Sequence, residues 1–378
     1  MEIYVVQQGD NVDAIAARYR VAASDVVYDN QLVYPYELAV GQALLIRTDR
    51  RNPVRSVKVG GYAYPFINRW VLTQTLPFLS ELFVFSYGFT AEGELIAPLW
   101  DDEWMIEEAV RFGTKPILTL TPFGPDGRFN NQLISSVVNN LNYRENLIQN
   151  LLQIMGEKGY RGIDIDFEYI LASDRDAFTE FVSVVAQTMR GRGYQTSVAL
   201  APKTSADQKG LLYEGKDYGA LGAVADFVLL MTYEWGYTYG PPMAVAPIDQ
   251  VRRVVEYALT EIPAEKISLG IPNYGYDWPL PFVRGTTAAT TIGNIQAVRI
   301  AIENNAVIGY DEVAKSPYFN YVSQSGIQHE VWFEDVRSLQ EKFGLIAEYD
   351  LRGCGYWQIM QWFRANWLLL SENFYVAK

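Results

Sequence analysis

The chain has 378 residues, 49% of them hydrophobic and 14% aromatic, and a net charge of −13. That length suits a large barrel-type domain with a small module beside it, and the acid excess argues against nucleic acid and anionic membrane surfaces as partners. A single cysteine, Cys354, excludes an intramolecular disulfide, and a single histidine, His329, makes zinc or serine–histidine chemistry a poor reading, so neither metal nor cofactor is expected. Met1 is not followed by a basic segment and an apolar stretch, and no apolar run reaches membrane-spanning length. Neither a secretory signal nor a transmembrane helix is expected.

Residues 1–48 read as a separate unit. A strand at 3–6 leads into Gly9-Asp10-Asn11, a turn that also offers a helix N-cap. Apolar residues at Val12, Ile15, Ala16 and Tyr19 have helical spacing. A second short helix at 23–28 is closed by Asp29-Asn30, and 43–46 is a closing strand. The polar stretch 49–54 reads as a linker. From 55 to 378, apolar strand-like runs alternate with helical stretches, the pattern of repeated βα units. The strands fall at 57–64, 82–89, 116–121, 162–169, 196–202, 226–233, 267–274 and 353–359. Eight such units predict an α/β fold, a closed parallel (β/α)8 barrel. Between the seventh and eighth strands, about 279–350 holds a helix near 294–304 and a hairpin from 318–322 and 328–333. This predicts a small α+β insertion and a low wall beside any cleft.

The fourth strand is the most informative. In Gly162-Ile163-Asp164-Ile165-Asp166-Phe167-Glu168-Tyr169, alternation puts Asp164, Asp166 and Glu168 on one face and Ile163, Ile165, Phe167 and Tyr169 on the other. Three neighbouring carboxylates cannot all ionise freely, so at least one must hold its proton to higher pH. That is costly in a core and useful in acid–base catalysis; a metal cluster or a solvated edge strand could also carry such a row. Barrel active sites lie at the C-terminal strand ends. Glu168 is therefore read as the general acid, with Asp166 sharing a proton with Asp164 or turning toward Glu168.

This strand resembles the D-x-x-D-x-D-x-E signature of glycoside hydrolase family 18, with Arg161 in place of the first acid. Met231-Thr232-Tyr233-Glu234 resembles the family's M-x-Y-D motif, with Glu for Asp, and Pro272-Asn273-Tyr274-Gly275 its P-x-Y-G stretch. The third strand lacks the family's Ser-x-Gly-Gly. The resemblance implies cleavage assisted by the substrate's own 2-acetamido group, which Asp166 orients and Tyr233 assists. It implies Trp357 as the floor under the sugar, with Met231 and Glu234 nearby. Tyr87, Asn273, Tyr274 and Tyr276 follow strand ends and are weaker substrate-binding candidates. Residues 1–48 resemble a LysM module, matching at Tyr4-Val5-Val6, Gly9-Asp10, Ile15-Ala16, Tyr19, Asn30 and Gly41-Gln42. This implies that Gly9, Asp10, Asn11, Asn30, Gln31 and Leu32 bind glycan. The combination is similar to the spore cortex-lytic N-acetylglucosaminidase branch of the family. It implies a monomeric enzyme located at the bacterial spore and acting on peptidoglycan or another N-acetylglucosamine polymer. A chitinase or chitooligosaccharide hydrolase, and a non-catalytic glycan-binding protein on the same barrel, are the alternatives.

Overall fold

The structure is a computed structural model that describes residues 1–48, 53 and 55–378. Apart from Pro53, the linker expected at 49–54 lies outside the described residues. In the N-terminal unit, β1 (Glu2–Val5) pairs antiparallel with β2 (Ala43–Ile46). Between them lie α1 (Val12–Tyr19), capped by Asn11 on the Ala14 amide, and α2 (Ala23–Asp29). Tyr4, Val6, Ile15, Val26, Leu44 and Ile46 form a core of their own.

Among the described residues, eight parallel strands close the barrel. They are β3 (Ser56–Ala63), β4 (Glu81–Phe89, with the short antiparallel β5, Leu95–Ile96, on its end), β6 (Lys115–Leu120), β7 (Gly162–Ile165), β8 (Gln195–Leu200), β9 (Phe227–Leu230), β10 (Ile267–Pro272) and, after the insertion, β16 (Gly353–Trp357). Pairing of β16 with β3, and of β3 with β4, closes the circle. The outward faces of the strands carry apolar residues such as Ile163, Ile165 and Leu118, buried against the helices. The lumen is filled by Tyr62, Phe83, Phe85, Ile117, Phe227 and Leu229. Gly60 makes room for this filling, since a Cβ there would stand 2.4 Å from the Phe83 ring. No helix among the described residues is long and apolar enough to cross a membrane.

The insertion begins directly after β10 and is larger than the expected helix and hairpin. Strands β11 (Gly275–Pro279), β12 (Thr290–Ile292), β13 (Gly309–Asp311), β14 (Ser316–Val322) and β15 (Gln328–Trp332) form a five-stranded sheet in the order β12-β11-β15-β14-β13. The helix Asn294–Glu303 packs on it through Ala297 and Ala301. The chain ends on β17 (Tyr375–Val376), parallel to the start of β3.

The N-terminal unit is docked on the barrel and the insertion. Gln31 donates to the Trp362 carbonyl (3.2 Å) and accepts from the Arg364 amide (2.6 Å). Arg364 pairs with Asp29 and lies 4.1 Å over the Tyr28 ring. The Ile308 amide donates to Val40 O at 2.9 Å. Ala39 belongs to the insertion's apolar cluster and Leu45 to the barrel's. Gly41 lies at the seam with φ +85°, and a Cβ there would fall 1.9 Å from the Ile308 carbonyl oxygen. Gly41→Ala should therefore unseat the unit and destabilise the protein by on the order of 2–4 kcal/mol. This would be read as a lower thermal midpoint of the full chain; an unchanged midpoint would mean that the seam contributes nothing to stability.

Candidate active site

The site is built on the end of β7. Asp164, fully buried, points into the lumen, where it accepts hydrogen bonds from the Tyr62 hydroxyl (2.8 Å) and the Ser197 hydroxyl (2.6 Å). Burial raises its carboxyl to about 6, against the pull of those two donors. The ladder ends at Ile165, although the Asp166 amide still donates to Leu120 O at 3.0 Å. The strand is thus shorter than expected, and Glu168 sits beyond it on the connecting loop. Tyr169 has φ +53°, which breaks the alternation. It turns into the cleft instead of facing away from the acids, and is 41% exposed.

Asp166 and Glu168 line a cavity of about 590 Å³ at the C-terminal mouth of the barrel. Tyr64, Phe85, Phe123, Met231, Tyr233, Glu234, Tyr237 and Trp357 contribute to its walls. No residue of 275–332 lines it among the described residues. Asp166 is buried, and its Oδ1 has no hydrogen-bond partner among the described residues. Burial, then the charge of Glu168, then that of Asp164 push its carboxyl well above the usual range. Burial also raises Glu168. These acids titrate as a group, so protons belong to the row and not to single residues. Trp357 stands edge-on to Phe85 (4.9 Å between centroids), Tyr62 (5.7 Å) and Tyr64 (6.2 Å), which fixes its ring in the cavity.

Tyr233 follows β9 and reaches the cavity beside Met231. Glu234, at φ +69°, also reaches the cavity, and its carboxylate accepts from the hydroxyls of Tyr274 and Tyr276 (2.9 Å for Tyr276). Those two tyrosines are buried behind Glu234 and do not line the cavity. Asn273 is likewise set back. Its amide holds the carbonyls of Gln358 (3.1 Å) and Gln361 (3.0 Å), which pins the segment after Trp357. Tyr87 is a correction. The pairing of β4 with β6 shifts register between Val84 and Tyr87, so Phe85 lines the cavity while Tyr87 turns to the helices. There its hydroxyl bonds Asp102 at 2.7 Å.

In the N-terminal unit, Gly9 and Asn11 are exposed on either side of the half-buried Asp10, which accepts from the Tyr4 hydroxyl at 2.6 Å. Asn30, Gln31 and Leu32 lie apart from that segment and line a groove. Asn30 bonds Val26 and Leu45 inside the unit, and Gln31 holds the barrel. Leu32 is half-buried beside the core. This groove, of about 250 Å³, runs between this unit and the helix Asn294–Glu303. Its buried acid, Glu334, is already paired with Lys342 at 2.8 Å.

Tyr62 and Ser197, the hydroxyl partners of Asp164, and Lys216, whose ammonium bonds the carbonyl of the cavity residue Ala199, are residues that no motif marks. Tyr62 is one tyrosine among 26, and Ser197 and Lys216 lie outside any recognisable pattern. Arg161, in place of the family's first acid, is exposed on the opposite end of the barrel, beside Lys115 and Asp226. His329 is engaged with Asp277 at 2.7 Å. Cys354 is buried, its thiol pushed up to about 12. No group of metal-ligating side chains is found among the described residues.

Residues 123–361 match the family model for glycosyl hydrolases family 18, and residues 4–47 match that for the LysM domain. A cortical fragment-lytic enzyme of Bacillus subtilis (strain 168) is 37% identical, with 100% of this chain and 99% of that protein aligned. The crystal structure of the Bacillus cereus spore cortex-lytic enzyme SleL superposes with a TM-score of 0.94 at 34% identity, covering 100% of this chain and 99% of that one. A chitinase from Chromobacterium violaceum is more distant, with a TM-score of 0.78, 25% identity and coverage of 84% and 99%. The closed barrel, the acid row at its mouth and these matches establish that the chain is a glycoside hydrolase and belongs to family 18, with a LysM domain at its N-terminal end.

Proposed function

We propose that this enzyme cleaves N-acetylglucosamine linkages in spore-cortex peptidoglycan, with retention of configuration and with the substrate's 2-acetamido group as nucleophile. The observation that carries the mechanism is Asp166. It is a buried carboxyl beside Glu168 with one oxygen lacking a hydrogen-bond partner among the described residues, suited to receive an amide N–H. Glu168 donates its proton to the glycosidic oxygen as the bond from C1 breaks. The acetamide oxygen, oriented by Tyr233, forms a new bond to C1 while its N–H is held by Asp166. Water then opens the resulting oxazolinium ring at C1, giving its proton back to Glu168. Two displacements at C1 return the original configuration. Trp357 carries the apolar face of the sugar.

The cortex preference is supported by the relatives, whose names refer to cortical fragments and spore cortex, and by a cavity that the insertion does not wall. The LysM unit, residues 1–48, is read as holding the barrel, residues 55–378, near polymer through the Gly9–Asn11 turn, which raises effective concentration. The enzyme is read as a monomer at the spore, acting on peptidoglycan and not on nucleic acid or membrane.

Glu168→Gln keeps the shape of the acid and removes its proton. Turnover of unactivated cortex glycan should fall about 10²–10⁴-fold, and a variant retaining half the wild-type rate would overturn the assignment. Glycan stripped of its N-acetyl groups should resist cleavage, and NMR of fresh product should show the β-anomer first; an inverted product would exclude the acetamido route. Under one condition, kcat/KM on cortex fragments should exceed that on chitin oligomers, and the reverse order would favour the chitooligosaccharide reading.

A further inference from the structure

Lys216 is 1% exposed and lies on the loop between β8 and the helix Tyr218–Val224. Its ammonium donates to the Ala199 carbonyl at 3.1 Å, and Ala199 lines the catalytic cavity. The loop is held tightly in place. Lys203 donates to the Lys216 carbonyl at 3.1 Å from behind, and Gly215 packs so closely that a Cβ would stand 2.4 Å from Ile170 O. An ammonium sealed from water requires negative charge near it. Burial holds the Lys216 ammonium below the usual lysine range, and the charges that act against burial are Glu168, Asp166 and Asp164.

We propose that Lys216 is a positioning residue whose buried positive charge sets the proton count of the Asp164–Asp166–Glu168 row at one negative charge and two protons. Deep in a low-dielectric lumen, one ammonium and three carboxyls are electrically balanced in that state. It is also the state the reaction needs, with Glu168 carrying a proton to give and the two aspartates sharing one between them. This inference rests on the reading of Glu168 as the acid. The other charged or titratable groups around the row do not replace Lys216. Glu81, which acts on Asp164, is paired with Arg352 at 2.5 Å. Glu234 is held by two tyrosine hydroxyls. Tyr62, Tyr64 and Tyr233 remain neutral phenols, raised above their usual range by burial. Lys216 lowers the carboxyls of all three acids, so its removal lets them keep protons to higher pH.

The test is kcat and KM against pH, on cortex fragments, for the full chain and its K216M, K216Q and K216R variants, with E168Q alongside. In the uncharged variants both limbs of the profile should move up by about one unit, and kcat at the wild-type optimum should fall about 10-fold, with KM changed less than about twofold. K216R should keep both limbs near their wild-type positions. A lower kcat in K216M and K216Q with unmoved limbs would reduce Lys216 to a structural role and overturn the proposal. Nitrogen-15 NMR of the wild-type lysine needs no variant to fold. An ammonium at the pH optimum is expected, and a neutral amine there overturns the proposal. If E168Q is inactive while the limbs stay fixed, only the inference fails; if E168Q is active, the reading beneath it fails.

Discussion

The constraint on which the site depends is the crowding of three carboxyl groups along one face of one strand end, inside a lumen from which water is largely excluded. Asp164, Asp166 and Glu168 cannot all be charged there. The surroundings decide how the charge is divided. Two hydroxyls, Tyr62 and Ser197, stabilise an anion at the deepest position. Asp166, in the middle, has an oxygen without a partner among the described residues. Glu168, at the mouth, meets the cavity. Depth in the barrel therefore grades the three acids, from one held by two hydroxyls to one that meets the cavity.

Much of this is legible in the sequence because the physics repeats. Barrel strands are buried on both faces, so they read as apolar runs, and charges at every second position of one such run stand out. Strand ends read too long at 166–169 and 231–233, because the apolar alternation continues after the chain has left the ladder. The positive φ of Tyr169 and Glu234, where it leaves, has no signal in residues that normally avoid that region. Sequence alone misplaces Tyr87, because a register shift in β4 cannot be read from the side chains that flank it. In the insertion, β12 and β13 are three residues each, too short to show a period, and β11 runs on from the seventh barrel strand without a turn signal.

The LysM unit is more than a tethered appendage. Its own core would hold it together, but Gln31, Asp29, Val40 and Gly41 join it to both the barrel and the insertion. Two residues expected at its glycan surface, Asn30 and Gln31, take part in holding structure together. The turn Gly9–Asn11 and the groove that Asn30, Gln31 and Leu32 line are carried on a body joined to the barrel by hydrogen bonds.

The bottom of the barrel has a consequence for timing. Phe83 and Phe227 fill the lumen beneath the acid row, and the Arg352 guanidinium, paired with Glu81, lies 3.7 Å over the Phe227 ring. This plug leaves the mouth as the route by which protons reach the row. A ligand filling the cavity that Trp357, Asp166 and Glu168 line would cover that route, so the row would exchange protons with bulk water chiefly while the cavity stands empty.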